Sequence, residues 1–457
     1  MSLQQVFDEI DHTLDASLHR LCDFLRIQSI STDPAYRGEC ERAADWLVDE
    51  LTSIGFSAGK RQTEGCPMVT GESSTTAPRI LFYGHYDVQP VDPLDLWEQP
   101  PFEPRVETCP GGRVIRGRGA SDDKGQLMTF VEACRAWKAV TGEVPENLRF
   151  LFEGEEECGS PSLVPFLQQN ADRLSAETAL ICDTGLFDRN TPAIVTMLRG
   201  LLGEEVTVTG PDMDLHSGMY GGPAINPARV LARIISGLHD ENNRITVPGF
   251  YDGIEELPAA VHRQWQGLDF DAADFLGQVG LSLPAGEKDR SALEMIWSRP
   301  TCEVNGLNSG YTGNGFKTVL PASASAKISF RLVLGQCPFT IRNSFRAYVK
   351  SMLPEDCSVA FADHGASPGC RFPTSHPICE AVQAALTEEW PNEAVFAGCG
   401  GSIPIAGHFK SILGIDSILT GFGNDDDCIH SPNEKYDVRS FRKGIRSWTR
   451  LLARLAG

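Results

Sequence analysis

The sequence lacks several features that would place it in other classes of protein. No apolar run approaches the ~20 residues that a membrane-spanning helix requires. The first residues contain acids throughout and no basic segment followed by an apolar block, so no secretory signal is predicted. No two cysteines form a Cys-x-x-Cys pair, and this spacing gives no support to a thiolate zinc site or a disulfide framework.

Positive charge is also scarce, with 40 Lys and Arg against 61 Asp and Glu and a net charge of -21. Such a surface repels nucleic acid and anionic membranes, so we expect neither as a partner. The 14 cysteines are scattered through apolar stretches, as at Cys182. Buried free thiols in a reducing compartment explain this distribution best, and we therefore predict a cytoplasmic location.

The chain has 457 residues, enough for two or three domains. In the first part, short apolar segments alternate with segments of helical spacing. Strands are predicted at 79–84, 148–152 and 178–182, and a helix at 125–140. Strands that alternate with helices favour an α/β fold with a mostly parallel sheet covered by helices on both faces.

The pattern changes after Arg199, where strands alternate apolar and polar residues and two helices intervene, typical of a separate α+β layer. From about residue 377 the first style returns. We therefore predict a discontinuous catalytic domain, residues 1–199 and 377–457, with an inserted lid or dimerisation domain at 200–376. The segment 249–299 gives no clear pattern.

Histidine and acidic residues follow the predicted strands. His85 and Asp87 follow the first strand, three glutamates that include Glu156 follow the second, and Asp183 follows the third. In a parallel sheet the carboxyl ends of the strands meet at one edge, where ligands bind. Asp122, in a glycine-flanked turn, and His430, beyond a later strand, are candidates for the same place. The full set of candidate ligands is His85, Asp122, Glu157, Asp183 and His430.

Imidazole and carboxylate groups together suit zinc. Asp122 lies on a tight turn that could hold it between two metals, and Asp87 lies where it could accept the second ring N–H of His85. Each residue alone is more often structural, and the glycine-rich turn at 117–125 lacks the phosphate-binding pattern. Their joint placement is what favours a metal site.

Five segments resemble the motifs of the di-zinc peptidase family that includes carnosinases, acetylornithine deacetylase and glutamate carboxypeptidases. They are His85-x-Asp87, Gly119-Ala-Ser-Asp-Asp-Lys-Gly125, Glu153-Gly-Glu-Glu-Glu-Cys-Gly-Ser160, Asp183 and His430. The resemblance implies that Asp122 bridges two zinc ions, that His85 and Asp183 complete one site, and that Glu157 and His430 complete the other. It also implies that Glu156 is the general base and that Asp87 orients His85.

The segment Asp214–Gly222 resembles the lid motif of the carnosinase-like branch. The resemblance implies that His216 reaches the partner subunit's site in a homodimer and polarises the scissile carbonyl. It further implies that Thr318, Arg331, His364, Gly401 and Ser402 hold the carboxylate end of the substrate. The planar guanidinium of Arg331 suits a carboxylate, although an alternating strand also allows an exposed sheet residue there, and residues 398–401 could be only a flexible turn.

These features predict a metal-dependent hydrolase that cleaves the amide bond of dipeptides or short peptides. Asp183 favours this branch, since deacylases and glutamate carboxypeptidases of the family usually have Glu at that ligand. The alternative is an N-acyl-amino-acid deacylase with the same chemistry. Two Zn²⁺ ions per subunit are expected, and Co²⁺ or Mn²⁺ could occupy the same ligands.

Overall fold

The computed structural model of the chain describes residues 2–73, 78–401 and 403–456. They form two compact units, Met1–Thr196 with Phe372–Ala397 and Ile405–Gly457, and Met197–Arg371 with Gly398–Pro404. The second unit thus includes residues 398–404, which the predicted boundary at residue 376 had assigned to the first domain. Gly398 packs closely against Trp297 of this unit, since a Cβ on Gly398 would lie 2.4 Å from the Trp297 Cβ. A contact of this kind leaves no trace in sequence periodicity, so the sequence pattern did not indicate it.

Four parallel strands form the centre of the sheet in the first unit, which confirms the predicted α/β class. Leu148–Glu153 and Thr178–Ile181 flank Ile80–His85, and Asp416–Leu419 lies beside Thr178–Ile181. Antiparallel strands extend the sheet at its sides. Across this unit the spatial order is Ser57–Arg61, Met68–Glu72, Leu148–Glu153, Ile80–His85, Thr178–Ile181, Asp416–Leu419 and Ala193–Leu198, with Val395–Cys399 also paired to the last.

Both faces of this sheet are covered. Phe82 and Tyr83 are neighbours on one strand and therefore point to opposite faces. The Phe82 ring stacks on Phe130 of a helix at a centroid distance of 4.0 Å, and Tyr83 packs against Phe409 at 5.8 Å. The helices of this part of the chain are Leu3–Leu25, Arg37–Ile54, Lys124–Thr141, Leu163–Gln169, Ala171–Leu174, Pro377–Glu389, Pro404–His408 and Val438–Ala456. Single helical turns lie at Pro34–Tyr36, Leu94–Leu96, Glu156–Cys158 and Phe409–Leu413.

A small three-stranded sheet lies near the glycine-flanked turn of Asp122. Gly112–Arg116 is its central strand, between Arg105–Cys109 and Lys435–Asp437. Because the third strand comes from the end of the chain, this sheet carries Glu434 to the turn, where the Gly117 backbone N–H donates to the Glu434 carbonyl at 3.0 Å.

The second unit contains a four-stranded antiparallel sheet in the order Thr301–Ser309, Ser323–Leu332, Gly200–Thr209 and Ser358–Ser367. Residues of Ser323–Leu332 alternate between buried and more exposed positions, as expected when helices cover one face. The covering helices are Pro227–Ser236 and Pro338–Ser351. Shorter elements are strands Leu215–His216, Val319–Leu320 and Cys370–Arg371 and helices Ser217–Tyr220, Ala259–Gln266, Ala272–Gly277 and Ala292–Trp297.

All 14 cysteines are free thiols, and half of them are buried. Among the described residues, no helix combines the length and the apolar character that crossing a bilayer requires.

Candidate metal centre

The carboxyl ends of the four parallel strands deliver the candidate ligands to one edge of the sheet. His85 is the last residue of its strand, Glu156 and Glu157 lie in the helical turn just beyond another, and Asp183 follows the third. His430 lies in the loop after the fourth strand, with a φ of 59°. A non-glycine residue in this left-handed region is strained, and such strain concentrates at functional sites.

Asp122 lies between two imidazoles. Its Oδ1 is 3.0 Å from Nε2 of His85, and its Oδ2 is 2.9 Å from Nε2 of His430. Each carboxylate oxygen therefore faces a different histidine. A carboxylate held in this way can contribute one oxygen to each of two neighbouring cations.

The other two ligand candidates each lie beside one of these histidines. Asp183 Oδ2 is 3.9 Å from His85 Nε2, and Glu157 Oε2 is 3.3 Å from His430 Nε2. The distances divide the five side chains into two groups that share Asp122. The Gln89 amide also donates to Glu157 at 2.7 Å, which fixes the direction of that carboxylate.

The electrostatics of this cluster fit bound cations. Burial raises the pKa of Asp183 well above its usual range, and burial also raises the pKa of Glu156. Hydrogen bonds to Asp122 and Glu157 raise the pKa of His430 to about 10. Burial alone would lower the pKa of His85, but contacts with carboxylates raise it well above its usual range. Four carboxylates thus share a half-buried space with two imidazoles, and divalent cations would offset the excess negative charge.

The donor set also fits zinc in kind and spacing. The ligand atoms of His85, Asp122 and Glu157 all lie within 4.8 Å of one another, so the two groups that share Asp122 occupy one small space. Nitrogen and oxygen donors in this combination suit Zn²⁺, and Co²⁺ or Mn²⁺ can occupy the same set.

Asp87 connects His85 to the turn that carries the glutamates. Its Oδ1 is 3.3 Å from His85 Nδ1, and its carbonyl oxygen is 3.1 Å from the same nitrogen. Its two carboxylate oxygens accept the backbone N–H groups of Glu156 at 3.2 Å and Glu157 at 3.0 Å, and the Ser31 hydroxyl donates to Oδ2 at 2.6 Å. Asp87 is fully buried, so it holds the imidazole and the turn in one fixed arrangement.

The remaining candidate residues lie in the second unit. His216 and Val319 are paired in a two-stranded sheet, and Thr318, just before Val319, accepts the Ser217 backbone N–H at 3.1 Å. Arg331 is half-buried on its strand. His364 is exposed, with Nε2 3.2 Å from Glu205 Oε2. Gly401 belongs to the segment that joins this unit, and Ser402 lies outside the described residues.

Comparison with known proteins identifies the family. The model of Peptidase family M20/M25/M40 matches residues 81–454. The chain belongs to this family. The resemblance stated from the motifs is therefore confirmed, and the chain is a metallopeptidase.

Three relatives of this M20 peptidase are similar over nearly their whole length. The Cys-Gly metallodipeptidase dug1 of Schizosaccharomyces pombe is 32% identical, with 100% of this chain and 99% of that protein covered. The Beta-Ala-His dipeptidase of Homo sapiens is 27% identical, with 99% and 93% covered. The solved M20 family metallo-carboxypeptidase Sso-CP2 of Sulfolobus solfataricus superimposes with a TM-score of 0.81 at 32% identity, with 95% and 98% covered.

The structure of the M20 peptidase adds a buried acid, Glu434, to which the sequence pattern assigns no role. The Glu434 carboxylate accepts the backbone N–H groups of Gly119, Ser121 and Asp122 at 2.9, 2.9 and 3.1 Å. It also accepts a 2.7 Å hydrogen bond from the Arg118 guanidinium. Glu434 therefore fixes the turn that presents Asp122. The position of Glu434 four residues after His430 is visible in the sequence, but its partners lie up to 316 positions away.

Two further glutamates of the M20 peptidase, Glu153 and Glu155, precede the expected base and ligand in the chain and have different surroundings. Glu155 is buried and accepts the backbone N–H groups of Cys66 at 3.0 Å and Ser162 at 3.2 Å. Glu153 accepts the hydroxyls of Tyr83 and Ser160, and burial raises the pKa of Glu153 to about 8. Both acids thus hold the turn in place, and they leave Glu156 and Glu157 to face the histidines.

Proposed function

We propose that this M20 peptidase is a dipeptidase that cleaves the amide bond of dipeptides or short peptides with two zinc ions bound per subunit. The observation that carries the proposal is Asp122, whose two oxygens face different histidines, each with a second acid beside it. The named relatives that act on Cys-Gly and Beta-Ala-His support dipeptides as the substrate class. They give no support to the alternative of an N-acyl-amino-acid deacylase.

In this proposal His85 and Asp183 would hold one ion, His430 and Glu157 would hold the other, and Asp122 would contribute to both sites. Bound there, the ions would lower the pKa of water towards ~7 and would polarise the scissile carbonyl. Glu156 accepts a proton from the attacking water and passes it to the leaving amine nitrogen. Burial raises the pKa of Glu156, and this shift moves its carboxyl closer to the range in which it can both take and return a proton.

The second unit supplies substrate binding in this proposal. Thr318, Arg331, His364, Gly401 and Ser402 hold the carboxylate end of the peptide, since a guanidinium and backbone N–H groups are suitable partners for a carboxylate. His216 donates to the carbonyl oxygen as it becomes negative. We propose that His216 does so in the site of a partner subunit, and that the second unit forms the homodimer contact.

A hydrolysis assay on a matched panel tests the function. The panel contains dipeptides with free termini, the same peptides with a blocked amino terminus, and N-acetyl amino acids. We expect metal-dependent release of free amino acids from the unblocked dipeptides. Faster turnover of N-acetyl amino acids would establish the deacylase instead, and preference for blocked peptides would establish a carboxypeptidase.

A further inference from the structure

Arg199 occupies an unusual position between the strands Ala193–Leu198 and Gly200–Thr209. Its guanidinium donates to three backbone carbonyls rather than to a carboxylate. Nε donates to Gly400 at 3.0 Å, and Nη1 donates to Met295 at 3.1 Å and to Arg299 at 3.4 Å. Among the described residues, the hydrogen bonds of this half-buried guanidinium go to neutral oxygens, and some compensation comes from Glu303 through its electrostatic interaction.

The same guanidinium lies close to Gly400. A Cβ on Gly400 would lie 2.9 Å from Arg199 Nη2 and 3.2 Å from the Ile296 carbonyl oxygen. A Cβ on Gly398 would collide with Trp297. The glycines therefore let this segment lie flat against Arg199 and the helix Ala292–Trp297, and no bulkier residue could follow the same path.

A second positive charge lies near Arg199. Burial lowers the pKa of Arg199 to about 10, and the nearby Arg331 adds to this shift. Arg331 is paired with Leu201, two residues beyond Arg199, in the antiparallel sheet, and the carboxylate of Glu303 offsets part of the repulsion between the two guanidiniums. Arg199 thus contacts the glycine segment through its hydrogen bonds and lies within electrostatic range of Arg331.

We propose that Arg199 is a positioning residue for substrate binding, because its hydrogen bond fixes the Gly400 backbone, and with it Gly401, which in the proposed function holds the carboxylate end of a peptide together with Arg331. This inference rests on the proposed dipeptidase function and names a further residue of its substrate site. Arg199 acts through the Gly400 backbone and through the local positive field, and it takes no part in the proton transfers.

The experiment compares a dipeptide with the same dipeptide carrying a carboxy-terminal amide, which removes the anionic group. Arg199→Met keeps much of the side-chain volume but removes the charge and the hydrogen bonds. We expect Arg199→Met to raise KM for the free dipeptide about tenfold. The free energy of a tenfold change in affinity is similar to the free energy that one charge-assisted hydrogen bond contributes. We expect kcat to change less than about threefold, the pattern of lost substrate binding, and KM for the amide to stay near the wild-type value.

Arg346→Met is the matched control in the same unit. Arg346 pairs with the buried Glu204 at 2.7 Å, so its loss should lower thermal stability and leave the ratio of the two KM values unchanged. Arg199→Lys keeps a charge but loses the planar fork, and an intermediate ratio is expected. If Arg199→Met does not fold with bound zinc, the ratio of the two KM values in Arg199→Lys tests the proposal instead.

A wild-type KM ratio in both Arg199 variants would overturn the proposal. An equal rise of KM for the peptide and its amide would assign Arg199 a structural role only. If the wild-type enzyme hydrolyses neither compound, the dipeptidase function itself fails and this inference fails with it. If the wild-type enzyme hydrolyses the dipeptide and the ratio is unmoved, only the role of Arg199 is lost.

Discussion

Three consecutive glutamates, Glu155, Glu156 and Glu157, differ in what surrounds them, and these surroundings separate their roles. Glu155 is buried and its oxygens are occupied by two backbone N–H groups. Glu157 lies beside His430 and accepts from Gln89. Among the described residues, Glu156 is held through its backbone N–H, which donates to Asp87, and its carboxyl is left to move a proton.

Glu156→Gln should abolish proton transfer while leaving metal binding intact. We expect kcat to fall by about 10²- to 10⁴-fold, the usual contribution of a general base, with zinc content near that of the wild type. Steady-state kinetics and elemental analysis measure the two quantities. Glu155→Gln is the matched control, and it should lower the melting temperature and reduce kcat far less. Comparable losses of kcat in both variants would contradict the assignment of Glu156.

At the scale of the element, the turn that carries Asp122 depends on a strand from the other end of the chain. Glu434 precedes Lys435–Asp437 and accepts three backbone N–H groups of the turn together with the Arg118 guanidinium. This carboxylate is fully buried, so water cannot replace the hydrogen bonds that it accepts from the protein. The arrangement fixes where both oxygens of Asp122 point.

Glu434→Gln should loosen this turn. The amide has one accepting oxygen in place of the two of the carboxylate. It also leaves the buried Arg118 without a negative partner, and breaking a buried ion pair lowers the free energy of unfolding by about 3–5 kcal/mol. We expect a lower melting temperature and about 10- to 100-fold weaker metal binding, as for other groups that orient metal ligands. Calorimetry and metal titration test this. Wild-type metal affinity in a destabilised variant would show that Glu434 supports the fold without positioning Asp122.

The elements that place the ligands were predictable because each left a local pattern. Thr178–Ile181 is an apolar run that ends just before Asp183, and the position of Asp183 at the end of a buried strand followed from this. The sequence shows only that Glu434 lies four residues after His430, because the turn that Glu434 fixes is 315 positions away. The grouping of Gly398–Pro404 with the second unit could not be predicted, because backbone contacts of glycine leave no periodicity. Arg199 could not be identified either, because its partners are carbonyl oxygens that every residue has.

At the scale of the molecule, the excess of acids at the centre couples metal binding to stability. Prolonged treatment with a chelator should abolish hydrolysis and lower the melting temperature, because a ligand that binds only the folded state contributes about 2.7 kcal/mol at a concentration 100 times its Kd. Re-addition of Zn²⁺ should restore both, with Co²⁺ and Mn²⁺ compared in parallel. Full activity after exhaustive chelation would exclude the metal centre as the site of chemistry.

The proposed homodimer makes a separate prediction, because the proposed site takes Glu156 from one subunit and His216 from its partner. Glu156→Gln and His216→Ala homodimers should both be nearly inactive. In a mixed dimer, one site combines both defects, while the other combines an intact Glu156 with an intact His216. Equal co-expression with two affinity tags should therefore yield about a quarter of wild-type activity in the unsorted mixture, by random pairing in a two-fold dimer.

Purified mixed dimers should show about half of the wild-type activity per dimer, since one of two symmetric sites is complete. If His216 served its own subunit, every site in the mixed dimer would carry one defect, and the mixture would stay as inactive as its parents. A mixture of Glu156→Gln with Asp122→Ala is the control, because both residues belong to the same centre and no pairing can restore a complete site. Recovery of activity only in the mixture of Glu156→Gln with His216→Ala would place His216 in the partner's site. Recovery of activity in neither mixture would show that His216 does not act there.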